Sequence, residues 1–132
     1  MATKAPERTE RRLAPVDVVR AAYAAYNRGD LDEGLSYISP DVEWVLPPSA
    51  LHGDVLHGPD ALHHLLRSEY EAFSEIRREP VELEENGEQV VGFVAQHVRG
   101  RSSGIELDMR APYAFTVRDG LIVRAVELEG VY

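Results

Sequence analysis

The sequence predicts an α+β domain in which helices come first and then pack on one face of a curved antiparallel sheet. Three observations carry that prediction. Apolar residues recur at helical spacing through the first half of the chain, with one short strand between them. After Pro80 the period changes from 3.6 to 2. Two hairpin signals, Asn86-Gly87 and Asp119-Gly120, then divide the remainder into adjacent strands.

Each element has its own reason. Residues 1–14 read as a polar tail, with Lys4, Arg8, Arg11 and Arg12 set against Glu7 and Glu10, ahead of one domain at 15–132. The first helix opens at Pro15, since proline fits a first turn whose N–H groups have no partner. Val19, Ala22, Tyr23 and Tyr26 form its buried stripe, and Gly29 suits the left-handed residue beyond its end. Asp30 with Glu33 is a capping box for a second helix, which Ser39-Pro40 stops. A strand follows at Val42–Leu46, then a loop from Pro47 to Gly58. Pro59 opens a third helix whose buried side is Leu62, Leu65, Leu66, Phe73 and Ile76. Val81–Glu84 alternates as a half-exposed strand. Gln89–Arg99 is apolar on both faces, as a central strand would be. Ile105–Arg118 and Leu121–Glu129 close the sheet.

Composition excludes several kinds of function. The 132 residues hold no cysteine, which removes disulfides, thiol nucleophiles and thiolate metal sites. Fourteen basic against 23 acidic residues give a net charge of −9, so nucleic acid is not expected as a partner. No apolar run reaches the length of a membrane span, and the N-terminus has no secretory core, so no membrane partner and a cytoplasmic location are expected. No His, Asp and Glu spacing matches a zinc or iron site, so neither a metal nor another cofactor is expected.

Four motifs in order resemble one family. Tyr26-Asn27-Arg28-Gly29-Asp30-Leu31 and Ser39-Pro40-Asp41-Val42-Glu43-Trp44 are similar to the opening of SnoaL-like proteins, in the nuclear transport factor two-like superfamily. His57-Gly58-Pro59-Asp60-Ala61-Leu62 resembles that family's entry to the third helix, with His57 where a hydrophobic residue is usual. Phe115 to Val123 resembles its terminal hairpin. The resemblance spans about residues 16–129. It implies a cone-shaped sheet wrapped around three helices, an apolar pocket at the wide end, and dimerisation through the sheet. Family activities include steroid isomerisation, polyketide cyclisation, epoxide hydrolysis and dehydration, and many members have none known.

The family's catalytic positions do not carry over as sets. The ketosteroid isomerase base falls at Val45, its second aspartate at Pro112 and its helix tyrosine near Ala22, with Tyr23 one position off. The Arg-x-Asp of limonene-type epoxide hydrolases falls at Val94-Ala95-Gln96, although Glu127 fills the carboxylate slot of the last strand.

The terminal hairpin assigns faces by counting. A two-residue Asp119-Gly120 loop pairs Arg118 with Leu121, hence Pro112 with Glu127 and Arg110 with Glu129. One face then carries Tyr113, Phe115 and Val117. The other carries Arg110, Ala114 and Thr116 beside Ala125 and Glu127, and the family places the Ala125/Glu127 parity inside the cone. Glu127 is therefore the candidate general base, because an apolar wall raises a carboxylate's pKa toward the useful range. Glu43, Trp44, Tyr23, Gln96, Arg110 and His57 are the candidate ligand contacts. The competing reading makes Glu127 and Arg110 plain surface charges and the aromatic residues plain core.

Two functions follow. One is a small hydrophobic-molecule-binding domain with cofactor-independent acid–base catalysis of the isomerase, cyclase or lyase type on a carbonyl or polyketide-like compound. The other is a non-catalytic ligand-binding or protein-interaction module acting as a homodimer. An open cavity beside Glu127 favours the first, and one filled by Trp44 and Tyr23 favours the second. A homodimer is expected in either case, since the Tyr113/Phe115/Val117 face and Val90–Val94 supply more apolar sheet than three short helices cover.

Overall fold

The computed structural model describes residues 13–47 and 55–129. Residues 1–12 of the expected tail, and residues 48–54 of the loop read from Pro47 to Gly58, lie outside them. Helix α1 spans Pro15–Asn27 and α2 spans Leu31–Leu35. Strand β1 (Ile38–Val45) and strand β2 (Val55–His57) precede α3 (Gly58–Ala72). Four strands follow: β3 (Phe73–Asn86), β4 (Gln89–Gly100), β5 (Glu106–Arg118) and β6 (Leu121–Glu127). They form one curled six-stranded sheet in the order β2-β1-β6-β5-β4-β3, and the α+β cone is thereby shown.

The local signals operate as their chemistry requires. Asp30 accepts a 3.1 Å bond from the Glu33 N–H and so caps α2. Gly29 adopts φ +81° beyond the end of α1. Asp119 and Gly120 take φ of +54° and +77°, the positive pair a tight hairpin turn needs. The Asn86-Gly87 signal sits one residue off. Asn86 pairs with Gln89, so the loop is Gly87-Glu88, with Gly87 at φ +63° supplying the left-handed residue.

Several boundaries differ from the sequence reading. The third helix stops at Ala72, so Phe73 and Ile76 belong to β3 rather than to the helix. The Arg101 side chain bonds the carbonyls of Tyr70, Glu71 and Phe73 at 3.0 Å each, and its N–H bonds Ala72. Those contacts occupy the carbonyls at the helix end. Strand β1 begins at Ile38 and includes Pro40, which falls in an irregular stretch of its pairing with β6. That pairing is parallel, so the sheet is not antiparallel throughout. The short β2, read as loop, pairs with Glu43–Val45 of β1.

The core lies inside the curl. Val18, Val19 and Tyr23 of α1 pack with Leu62 of α3 against Val90, Val94, Phe115 and Ile122 of the sheet. Phe115 is fully buried. A bulge where Val81 and Glu84 face Phe93 and Val91 bends β3. Gly92 opposite it has no room for a side chain, since an added Cβ would lie 2.8 Å from the Glu82 carbonyl and from Leu83. Among the described residues, no helix is long and apolar enough to cross a membrane.

Candidate functional site

The inner face of the curl encloses a cavity of about 310 Å³ between the three helices and the sheet. Its walls are mostly apolar: Leu62, Leu65 and Leu66 from α3, Leu31 and Leu35 from α2, and Trp44, Leu46 and Pro47 from β1 and its end. Trp44 stands edge-on to Tyr113 and Phe115, each at 6.3 Å between ring centroids. Tyr113 stacks on Phe115 at 5.2 Å. These rings leave the cavity open.

Two polar groups face this space. The first is built around Arg78 of β3. Its guanidinium holds Glu69 of α3 through two parallel bonds, 2.6 and 3.0 Å, in the planar geometry that suits an arginine–carboxylate pair. Arg78 also donates to the Tyr26 hydroxyl at 3.2 Å and to Gln96 at 2.6 Å. Asn27, the last residue of α1, fixes the Arg78 backbone by donating to its carbonyl at 2.7 Å and accepting from its N–H at 2.8 Å. Burial alone would lower the pKa of Arg78, but Glu69 holds it above its ordinary value. Arg78 stays charged.

The second group is Glu127 of β6 beside Tyr113 and Tyr23. Burial raises the Glu127 carboxyl above its ordinary value, and contact with the Tyr113 hydroxyl and the field of Arg78 offset part of that rise. Burial also raises Tyr23, Tyr26 and Tyr113, so their hydroxyls remain protonated and able to donate. The site thus combines a partly buried carboxyl with a raised pKa, neutral phenolic donors and a fixed positive charge beside an apolar wall.

Glu127, Tyr23 and Trp44 line the cavity. Gln96 stands behind it, holding Arg78. The other three candidates lie on the outside of the sheet. Glu43 is exposed between His57, 3.9 Å away, and Arg124, 3.6 Å away. Arg110 lies 4.3 Å over the Phe93 ring and pairs with Glu82 at 3.1 Å. The pairing of Arg110 with Glu129 and of Pro112 with Glu127 is overturned. Val117 pairs with Ile122 but Thr116 with Arg124, so Val123 is an extra residue in β6 and the count slips by one. Glu127 therefore stands opposite Tyr113. Tyr113, Phe115 and Val117 become the inner face, buried as core, while Arg110, Ala114 and Thr116 turn outward.

Arg78, Glu69 and Asn27 were not singled out by sequence reasoning. A signal for Glu69 exists, because it continues the buried stripe of Leu62, Leu65 and Leu66 at helical spacing yet carries charge. Arg78 shares the inward parity of Ile76, but only the long-range register brings it to Glu69.

A curled sheet closed over three helices, with an apolar cavity and a carboxylate on its last strand, defines a cone-fold α+β domain of the nuclear transport factor two-like superfamily. The SnoaL-like domain model matches residues 19–125, and the chain belongs to that family. Solved structures agree. TerC, co-crystallized with polyporic acid, is 27% identical over 86% of this chain and 88% of its own, with a TM-score of 0.75. An NTF2-like protein from Burkholderia xenovorans LB400 is 29% identical over 89% and 88%, with a TM-score of 0.71. A putative polyketide cyclase from Xanthomonas campestris pv. campestris shares the fold at 24% identity over 87% and 89%, with a TM-score of 0.73. No curated protein gives a significant match.

Proposed function

We propose that this SnoaL-like domain binds a small hydrophobic carbonyl or polyketide-like compound in the cone, and that Glu127 moves a proton to or from it. The observation that carries this reading is the raised carboxyl of Glu127 at an open apolar cavity, with Tyr113 beside it. A base with a pKa shifted toward neutrality can take an acidic C–H proton and return it elsewhere. Phenolic hydroxyls that stay protonated can hold the resulting enolate oxygen. Trp44 and the α3 leucines supply apolar contact. The TerC complex with polyporic acid supports a conjugated carbonyl compound as the class of ligand to try first.

The chain is also proposed to act as a homodimer, through the outer sheet face rather than the expected Tyr113/Phe115/Val117 face, which is buried as core. Val91, Phe93, Pro112, Val126 and Leu128 lie on that face, with Val91 and Leu128 exposed. Light scattering at micromolar concentration should give twice the mass of one chain, and the mass of a single chain would remove this part.

The test of the site is a thermal-shift and calorimetric screen of hydroxyquinones and polyketide-like ketones against wild type and Glu127→Gln. Wild type should be stabilised by a subset of compounds. The variant should fold, keep apolar binding within a few fold, and lose any proton exchange or turnover. Equal turnover in both proteins would reduce Glu127 to a wall residue.

A further inference from the structure

On the face of the sheet opposite the cavity, three residues from three strands converge. Glu75 of β3, Arg99 of β4 and Glu106 of β5 are in register, and His97 lies two residues along from Arg99. His97 Nε2 is 3.3 Å from a Glu106 carboxylate oxygen and 3.5 Å from one of Glu75. The facing ligand atoms of Glu75, His97 and Glu106 all lie within 4.8 Å of one another. Strand register alone creates the cluster, so no spacing in the sequence announces it.

We propose that Glu75, His97 and Glu106 form a binding site for a divalent transition-metal ion of the zinc class, with Asp108 orienting the imidazole. Geometry gives the first reason. A tetrahedral ion with arms of about 2.0–2.1 Å separates its ligand atoms by about 3.4 Å. The two distances from His97 Nε2 bracket that value. Ring orientation gives the second. Asp108 lies 2.8 Å from His97 Nδ1, the carboxylate–histidine arrangement that presents Nε2 to a metal. Charge gives the third. Glu75, Glu106 and Asp108 carry three negative charges, and Arg99 returns one by bonding the other Glu106 oxygen at 3.0 Å. The remaining two match a divalent ion.

Arg77, the register partner of His97, is paired with Glu79, and Arg99 Nε is 3.7 Å from Glu75. All three ligands are at least partly exposed, so water would complete the coordination and exchange would be fast. A mixed nitrogen and oxygen donor set suits zinc, manganese or iron better than calcium.

The test uses the full chain without a histidine tag, stripped with chelator and titrated with zinc chloride in a calorimeter at pH 7.5. One saturable ion per chain is expected. His97→Ala should weaken binding at least tenfold and Asp108→Asn about tenfold, with melting of the metal-free proteins unchanged. The His63→Ala/His64→Ala double variant, which removes two adjacent histidines of α3, and Glu127→Gln should bind as wild type does. Cobalt should give visible absorption of tetrahedral type that His97→Ala abolishes. Absence of saturable uptake would overturn the proposal. So would an adventitious ion only, recognised by uptake that survives His97→Ala or falls in the His63/His64 variant.

Discussion

The two faces of β3, β4 and β5 carry the same kinds of charged residue in different physical settings. Over the inner face, Arg78 of β3 and its partner Glu69 of α3 keep side-chain exposures of 16% and 18%. On the outer face, Arg99 and Glu106 keep 46% and 47% while bonding at nearly the same distance. Water solvates the outer pair whether or not it is made, so its net contribution is small. The inner pair has left that water, and each member is the chief compensation for the other. The contrast explains how one sheet holds a fixed charge beside an apolar cavity and an adaptable charge network on its back.

The largest expected effect separates the faces by packing. Phe115→Ala on the inner face should cost about 3–5 kcal/mol, because it opens a void among Tyr23, Trp44 and Tyr113 that cannot collapse. Phe93→Ala on the outer face should cost the protomer under about 1 kcal/mol and act instead on dimer affinity. Urea unfolding with light scattering on both variants checks this. Similar losses of protomer stability would erase the distinction.

Next comes the buried pair. Arg78→Met leaves Glu69 charged and without its guanidinium, a loss of about 3 kcal/mol, near the low end for a buried pair because both side chains reach the cavity. Adding Glu69→Leu should recover much of it, since the uncompensated charge is then gone. A double variant no better than Arg78→Met would mean that the bonds Arg78 donates to Gln96 and Tyr26, rather than charge compensation, carry the energy. The corresponding outer variant, Arg118→Ala beside Glu88, should leave the melting temperature nearly unchanged.

These contrasts also mark what could be read from the chain beforehand. The helix openings, the Asp30 cap, the Asp119-Gly120 turn and the order of the helices and longer strands are local chemistry, and they were legible. The parity of Ala125 and Glu127 came through the family resemblance. What was hidden depends on non-local register. A single extra residue at Val123 reverses which face of β5 meets Glu127, and no residue type marks a bulge there. The Arg78–Glu69 pair joins β3 to α3, so neither residue alone reveals it. The helical period of α3 also runs on through Ile76, and only the carbonyl contacts made by distant Arg101 show where the helix ends.

A smaller effect concerns pH. Burial raises the folded-state pKa of Glu127, so its protonated form is the one the fold prefers. Its favourable contribution is fully present below the unfolded-state value and is lost as pH rises through the folded one. Relative to Glu127→Gln, wild type should therefore lose stability as pH climbs from 4.5 toward 8. Parallel melting curves for the two proteins at each pH would read this directly. A constant difference across the range would mean that Tyr113 and Arg78 cancel the burial.

The smallest expected effect is at Arg110. It stacks on Phe93 and pairs with a well-exposed Glu82, contacts worth about 0.5–1 kcal/mol together at a surface site. Counting along the hairpin put it beside Glu127, whereas the bulge at Val123 turns it to the opposite face. Arg110→Ala should thus leave ligand-induced thermal shifts in the cone unchanged, while Tyr113→Phe, which removes the hydroxyl facing Glu127, should reduce them. High salt should weaken the Arg110–Glu82 pair and shrink the stability difference further, because both charges are solvated. If Arg110→Ala abolished ligand binding and Tyr113→Phe did not, the β5–β6 register without the bulge would be the correct one, and the inner and outer faces of the hairpin would have to be exchanged.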